Sequence, residues 1–202
     1  PIAASLDLTG WQARLALRGP LSAPRLNASV QSPATATHPA QALTAEAGLR
    51  PFAAWPLAEL RAQAQALDLS ALSPAAPITA WTGQVTVHST AANRPLTAEI
   101  TLDNERAGRW SDGFMPLRRL QAALVTRADD PSTVALNTFD AEFGTHMQAA
   151  GRLSGRGHWA AAQASLTATL HALQPALLDA RAPAMQIGGP LSLTLTQPPA
   201  AA

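Results

Sequence analysis

The chain has 202 residues, with 14 Arg and no Lys against 13 acids, no Cys, no Tyr, 46 Ala, 17 Pro and 12 Gly. Without Lys there is no P-loop, Schiff base or Ser-Lys dyad, and without Cys no disulfide, thiolate nucleophile, zinc ribbon or iron–sulfur cluster. A formal charge of +1 and 13% charged residues give no concentrated basic surface for nucleic acid, while 47% apolar residues suffice for a substantial core or apolar face.

In chain order, the hydrophobic pattern has a period of two. Ala13, Leu15 and Leu17 alternate with Gln12, Arg14 and Ala16, and Leu26, Ala28 and Val30 with Asn27, Ser29 and Gln31. The pattern returns at Leu43-Ala45-Ala47-Leu49, Leu60-Ala62-Ala64-Ala66, Val85-Val87 and Leu96-Ala98-Ile100-Leu102. It continues at Leu120-Ala122-Leu124, Val134-Leu136, Phe139-Ala141-Phe143, Met147-Ala149, Leu166-Ala168-Leu170 and Leu191-Leu193-Leu195. Such runs predict roughly a dozen half-buried strands, each with one apolar face. Gly19-Pro20, Asn93-Arg94-Pro95, Asp129-Asp130-Pro131, Gly155-Arg156-Gly157 and Gly188-Gly189-Pro190 read as the breaks between them. Ala is a poor strand former, so its abundance on the apolar face points to a need for small side chains there.

Two segments leave the pattern. Leu67–Pro74 and Ala172–Ala180 each read as a strand end followed by a short helical turn. They belong to an internal repeat at a constant offset of 106, which places Leu60, Ala62, Ala66, Leu67 and Leu72 on Leu166, Ala168, Ala172, Leu173 and Leu178. Ala76-Pro77 then falls on Ala182-Pro183, and Gly83 on Gly189. The expected fold is all-β with minor short helices: one elongated, curled β-sheet, taco-like and repetitive, with an apolar inner groove. The expected organisation is a single segment over 1–196, with related units near 60–88 and 166–194 and a low-complexity tail at 197–202.

Catalytic and metal constellations are weak. His38, His88, His146, His158 and His171 are scattered, with no metal-ligand spacing among them. Asp103–Gly113 looks superficially like a calcium loop, but Ala107 stands at position five and Phe114 at position twelve, so a charged hairpin turn is favoured. Asp140 and Glu142 share one face of a strand, which reads as a solvated face before a glycosidase pair. The five Trp residues, Trp11, Trp55, Trp81, Trp110 and Trp159, read as turn-adjacent caps on one end of the core. No enzyme, cofactor or metal is expected.

The order of several short motifs resembles the TamB family, the large inner-membrane components of the bacterial translocation and assembly module. They are Pro56-Leu57-Ala58-Glu59-Leu60-Arg61-Ala62, then Leu67–Leu72 and Ala76-Pro77, then Arg94-Pro95-Leu96 and Asn104–Trp110. Pro116-Leu117-Arg118-Arg119-Leu120, Gly151-Arg152-Leu153 and Leu177–Pro183 follow. The resemblance covers roughly 5–195. It implies a periodic β-groove crossing the periplasm, anchored in the inner membrane by a helix outside this stretch. It also implies phospholipid transport between membranes or assembly of outer-membrane proteins such as autotransporters. Partners would be phospholipid acyl chains or unfolded outer-membrane protein strands, and for the full-length protein an Omp85-family barrel (TamA), not necessarily through this segment.

On that reading the groove is lined by Leu15, Leu17, Leu26, Ala28, Val30, Val85, Val87, Leu96, Ala98, Ile100, Leu166, Ala168, Leu170, Leu191 and Leu193. The competing expectation is a closed-core β-solenoid, structural or adhesive, that acts through outer loops such as 103–113.

Overall fold

The computed structural model describes residues 2–8, 10–35, 38–53, 56–73, 75–89, 95–127, 130–160 and 163–196, with the backbone path alone for 2–8, 130 and 131. Twelve strands follow in chain order: β1 (Ile2–Leu8), β2 (Trp11–Arg18), β3 (Arg25–Ser32), β4 (Gln41–Leu49), β5 (Leu57–Leu67), β6 (Trp81–Ser89), β7 (Pro95–Asn104), β8 (Leu117–Arg127), β9 (Asp130–Gly144), β10 (Ala149–Ala160), β11 (Gln163–Leu173) and β12 (Ile187–Thr196). They form one sheet in the same order as the sequence, every neighbouring pair antiparallel, and the sheet stays open between β1 and β12. At about 4.8 Å per strand it is on the order of 50 Å long. The short helical turns are a 3-10 turn at Leu69–Ala71, another at Trp110–Asp112, and α1 at Pro175–Leu178. Among the described residues no helix is long and apolar enough to cross a membrane.

The fold is the all-β, elongated, curled sheet that the period-two pattern predicts, but several boundaries differ. Val134-Leu136 and Phe139-Ala141-Phe143 are one strand, β9, with an extra residue between Leu136 and Phe139. The bulge moves the apolar positions from even to odd numbers, so both runs face the same side. Gly155-Arg156-Gly157 does not break the chain but lies inside β10, because a Cβ at Gly155 would sit 2.3 Å from the Thr167 carbonyl oxygen of β11. Gly188-Gly189-Pro190 lies inside β12; Pro is compatible with a strand at a sheet edge. Met147 is 82% exposed in the turn before β10 rather than in a strand. The chain also begins with β1, which the alternation did not single out.

The two rims of the sheet differ. Residues 33–35, 38–40, 68–73, 75–80, 105–116, 145–148 and 174–186 gather along one rim, where loops hydrogen-bond to one another and to strand ends. Ile78 N–H donates to Gly113 O at 2.8 Å, and His146 N–H to Ala107 O at 2.7 Å. Gln174 N–H donates to Ala150 O at the start of β10 at 2.6 Å, and Ala180 N–H to Ser111 Oγ at 3.2 Å. The fully buried side chains Asp68 and Thr79 sit in this belt, together with buried Asn104 and Ala107. On the opposite rim Leu49 N–H donates to Pro24 O at 2.9 Å.

Candidate functional site

The register carries apolar residues across the whole sheet in rows. One row runs Leu17, Leu26, Ala47, Leu60, Val87, Ala98, Leu124, Leu136, Gly157, Leu166, Leu193, one residue from each of β2 to β12. The next runs Leu15, Ala28, Ala45, Ala62, Val85, Ile100, Ala122, Phe139, Gly155, Ala168, Leu191. A third includes Val30, Leu43, Leu102, Leu120 and Leu170. Leu96 joins the same side through its pairing with Ser89 and Thr126. All fifteen residues expected to line a groove therefore lie on one face, because successive side chains of a strand alternate between faces.

That face has no second layer over it among the described residues. Buried apolar residues are few, namely Ala80, Trp81, Leu96, Ala107, Ala141, Ala150 and Ala168, whereas Leu15, Leu191 and Leu193 are about half exposed, at 48%, 48% and 52%. Leu96 and Ala168 belong to the expected lining yet are buried by their neighbours, so they form the floor rather than an open wall. A hollow of about 520 Å³ lies in the face over β8 to β12, lined by Leu124, Val134, Leu136, Gly157, Trp159, Ala164, Leu166, Leu193 and Leu195, among others. Several of these escaped the sequence reading. In the sequence Gly157 reads as part of a break and Trp159 as a turn-adjacent cap, and only the register of β10 against β9 and β11 reveals their side. Trp159 is 62% exposed at the mouth of this hollow, not capping a core. Trp81 is buried at the start of β6, Trp110 is exposed, Trp11 is half-buried, and Trp55 lies outside the described residues.

The opposite face is polar and held by ion pairs. Arg119 Nε meets Asp103 at 2.6 Å, Arg118 meets Glu142 at 2.5 Å, and Arg152 meets Asp140 at 2.5 Å. The carboxylates Asp140 and Glu142 each face an arginine. Among the described residues no group of three or more His, Asp or Glu is placed to hold a metal ion. The loop 103–113 uses Asn104 as an internal clamp: its Oδ1 accepts from Ala80 N–H and Arg106 N–H, and its Nδ2 donates to Leu117 O.

Asp68 is the one fully buried carboxylate described, and the alternation gave no sign of it. Oδ1 accepts from Ser70 N–H, Ser70 Oγ and Thr79 N–H at 3.0, 2.8 and 3.1 Å. Oδ2 faces His38 Nδ1 at 2.9 Å and Arg106 Nη1 at 3.5 Å. Its own N–H donates to Gln41 Oε1 at 2.7 Å. Burial pushes the carboxyl's pKa up, but the hydrogen bonds from Ser70, Thr79 and His38 together outweigh it and hold the pKa below the ordinary carboxylate value. With its oxygens so occupied, Asp68 ties loops 33–40, 68–80 and 105–116 together. The only Asp68-oriented histidine, His38, has no described nucleophile hydrogen-bonded to its ring.

The site is thus a wide apolar face backed by a polar, ion-paired one, with a clamped rim along one side. No protein-family model matches the chain, and searches of curated proteins and of solved structures found no match.

Proposed function

We propose that this chain is a non-enzymatic, periplasmic segment of a TamB-like envelope protein, and that its apolar face carries phospholipid acyl chains between the inner and outer membranes. The observation that supports this reading is the set of continuous apolar rows crossing eleven strands with no covering layer among the described residues. Monomeric soluble proteins rarely leave so large a contiguous apolar area uncovered. A sheet about 50 Å long spans several times the ~15 Å half-thickness of a bilayer's hydrocarbon core. Acyl chains could therefore lie on it in sequence, and Ala and Gly positions leave them room. A dry closed core, the competing architecture, needs a second layer that the described strands do not supply. The same face also suits the apolar side of an unfolded outer-membrane protein strand, so both occupants enter the test.

The test is native mass spectrometry with organic extraction of the purified protein. Co-purified phospholipid is expected, and it should be lost in Ala98→Arg and Leu193→Arg but retained in the polar-face control Thr86→Arg. Leu193 is the better probe because it is half exposed, whereas a charge at buried Ala168 tests folding before occupancy. Lipid-free protein that ignores added phospholipid but binds an unfolded outer-membrane polypeptide would replace lipid by client. Indifference to both would overturn the reading.

A further inference from the structure

We infer that the outer edge of β12 is an acceptor for one more strand, an extended polypeptide with the pattern of β7 that runs antiparallel to β12. The inference stands on the internal repeat and is independent of what the apolar face holds. At the offset of 106, β5 (Leu57–Leu67) coincides end to end with β11 (Gln163–Leu173), and the start of β6 coincides with the start of β12. The pairings coincide as well: Ala64 faces Gly83 and Leu67 faces Trp81, as Leu170 faces Gly189 and Leu173 faces Ile187. Both units bulge at an Ala with positive φ, Ala66 at 51° and Ala172 at 48°.

The units differ in what lies beyond. β6 is covered by β7 through nine pairs from Trp81↔Asn104 to Ser89↔Leu96, while no described strand pairs with the outer edge of β12. Gly83 and Gly189 share an unusual backbone conformation, with φ of +157° and +144°. At Gly83 the space of a Cβ is taken by β7, whose Thr101 carbonyl oxygen would lie 2.0 Å away. At Gly189 no described residue lies within 4 Å of that same position. β12 therefore has the backbone form that admits a close strand at β6, and no described residue fills that space. Leu191, Leu193 and Leu195, which alternate along this edge, are 48%, 52% and 56% exposed.

The repeat also sets the register. As Val85 and Val87 face Ile100 and Ala98 of β7, Leu191 and Leu193 would face the corresponding apolar positions of the incoming strand. Pro190, whose missing N–H points away from the β11 ladder, gives an incoming strand no donor at its own position, so the new ladder rests on the residues beyond it. Ser192 and Thr194, of the same parity, then direct their N–H groups to the free edge. Such pairing takes its affinity from the backbone and its specificity from alternate side chains.

A synthetic peptide with the β7 sequence (residues 95–104), labelled with a fluorophore, is the probe, read by anisotropy and by amide hydrogen exchange of the whole chain. The β7 peptide is expected to bind and to slow exchange at Ser192 and Thr194 at least tenfold, and a scrambled peptide of equal composition is not. Thr194→Pro, which removes an edge donor and leaves the β11 ladder intact, should weaken binding at least tenfold. Equal binding of the scrambled peptide, or no change in exchange, overturns the inference. Protection of both amides without peptide, rising with protein concentration alongside a larger sedimentation coefficient, assigns the edge to a second copy and also overturns it. Because lipid extraction reads the apolar face and amide exchange reads the edge, either proposal can fail alone.

Discussion

The β5–β6 and β11–β12 units follow the same local rules to the residue, yet one is interior and the other is not. In the first, Asp68, Thr79 and Trp81 are buried, at 0%, 0% and 8% exposure. At the same places in the second stand Gln174, Met185 and Ile187, the last two exposed at 51% and 40%. The first connection is closed by the buried Asp68 cluster. The second is closed by α1 and the more exposed pair of Asp179 with Arg181, whose guanidinium and N–H hold the Asp179 carboxyl at about 2. Backbone form is thus set within the unit, while burial is set by the next strand and the neighbouring loops.

The sharpest way to break this comparison is to remove Asp68. Asp68→Ala leaves the Thr79 and Ser70 donors unpaired in the interior and should destabilise the β5–β6 region by about 3 kcal/mol. Gln174→Ala, at the equivalent place, should cost no more than about 0.5 kcal/mol. Amide exchange resolved by strand measures both in one protein.

Acid should separate the units next. The Asp68 carboxyl has a folded pKa below its unfolded value, so its stabilising contribution is complete above the ordinary carboxylate range and is lost as pH falls through the folded value. Protection of β5 and β6 should therefore decline below about pH 4 in the native chain and become insensitive to this step in Asp68→Asn.

Lipid chain length sharpens the contrast between the faces. If acyl chains occupy the apolar face, each added methylene should contribute about 0.8 kcal/mol, roughly fourfold in affinity, in titrations with single-chain lipids. Affinity flat with length would argue for headgroup binding instead.

The smallest effects concern what the units share. Ala66→Gly and Ala172→Gly relieve the left-handed backbone of an L-residue and should each stabilise by up to about 1 kcal/mol, by the same amount in both units. Unequal gains would mean that the neighbouring strands, rather than the bulge, set the strain. The exposed Arg119–Asp103 pair should show no resolvable coupling in a double-mutant cycle.

Much of the fold was legible because an open sheet demands strict alternation, and the parity of Leu15, Leu26 or Leu193 is visible without coordinates. The limits of that reading have physical causes. Glycines at 155 and 157 look like breaks when they are places where strands approach closely, and only the neighbour's backbone distinguishes the two. A bulge in β9 changes parity without any marker residue. Asp68 belongs to no periodic pattern, and its partners His38, Thr79 and Arg106 come from three different loops. The hollow over β8 to β12 was only partly legible: Leu166, Leu193 and Leu195 were in view, but Gly157 and Trp159 needed the register.

Because each strand pairs with its sequence neighbours, consecutive loops fall on alternate rims. The repeat offset carries β5 onto β11, across six strands. Six is even, so the two helical turns emerge on the same side. Duplicating an odd number of strands would have delivered the second turn to the opposite rim, away from the loops that hold the first. Growth of such a sheet is therefore quantised in hairpins: pairs of strands can be added or lost with both the apolar rows and the rim belt left in phase.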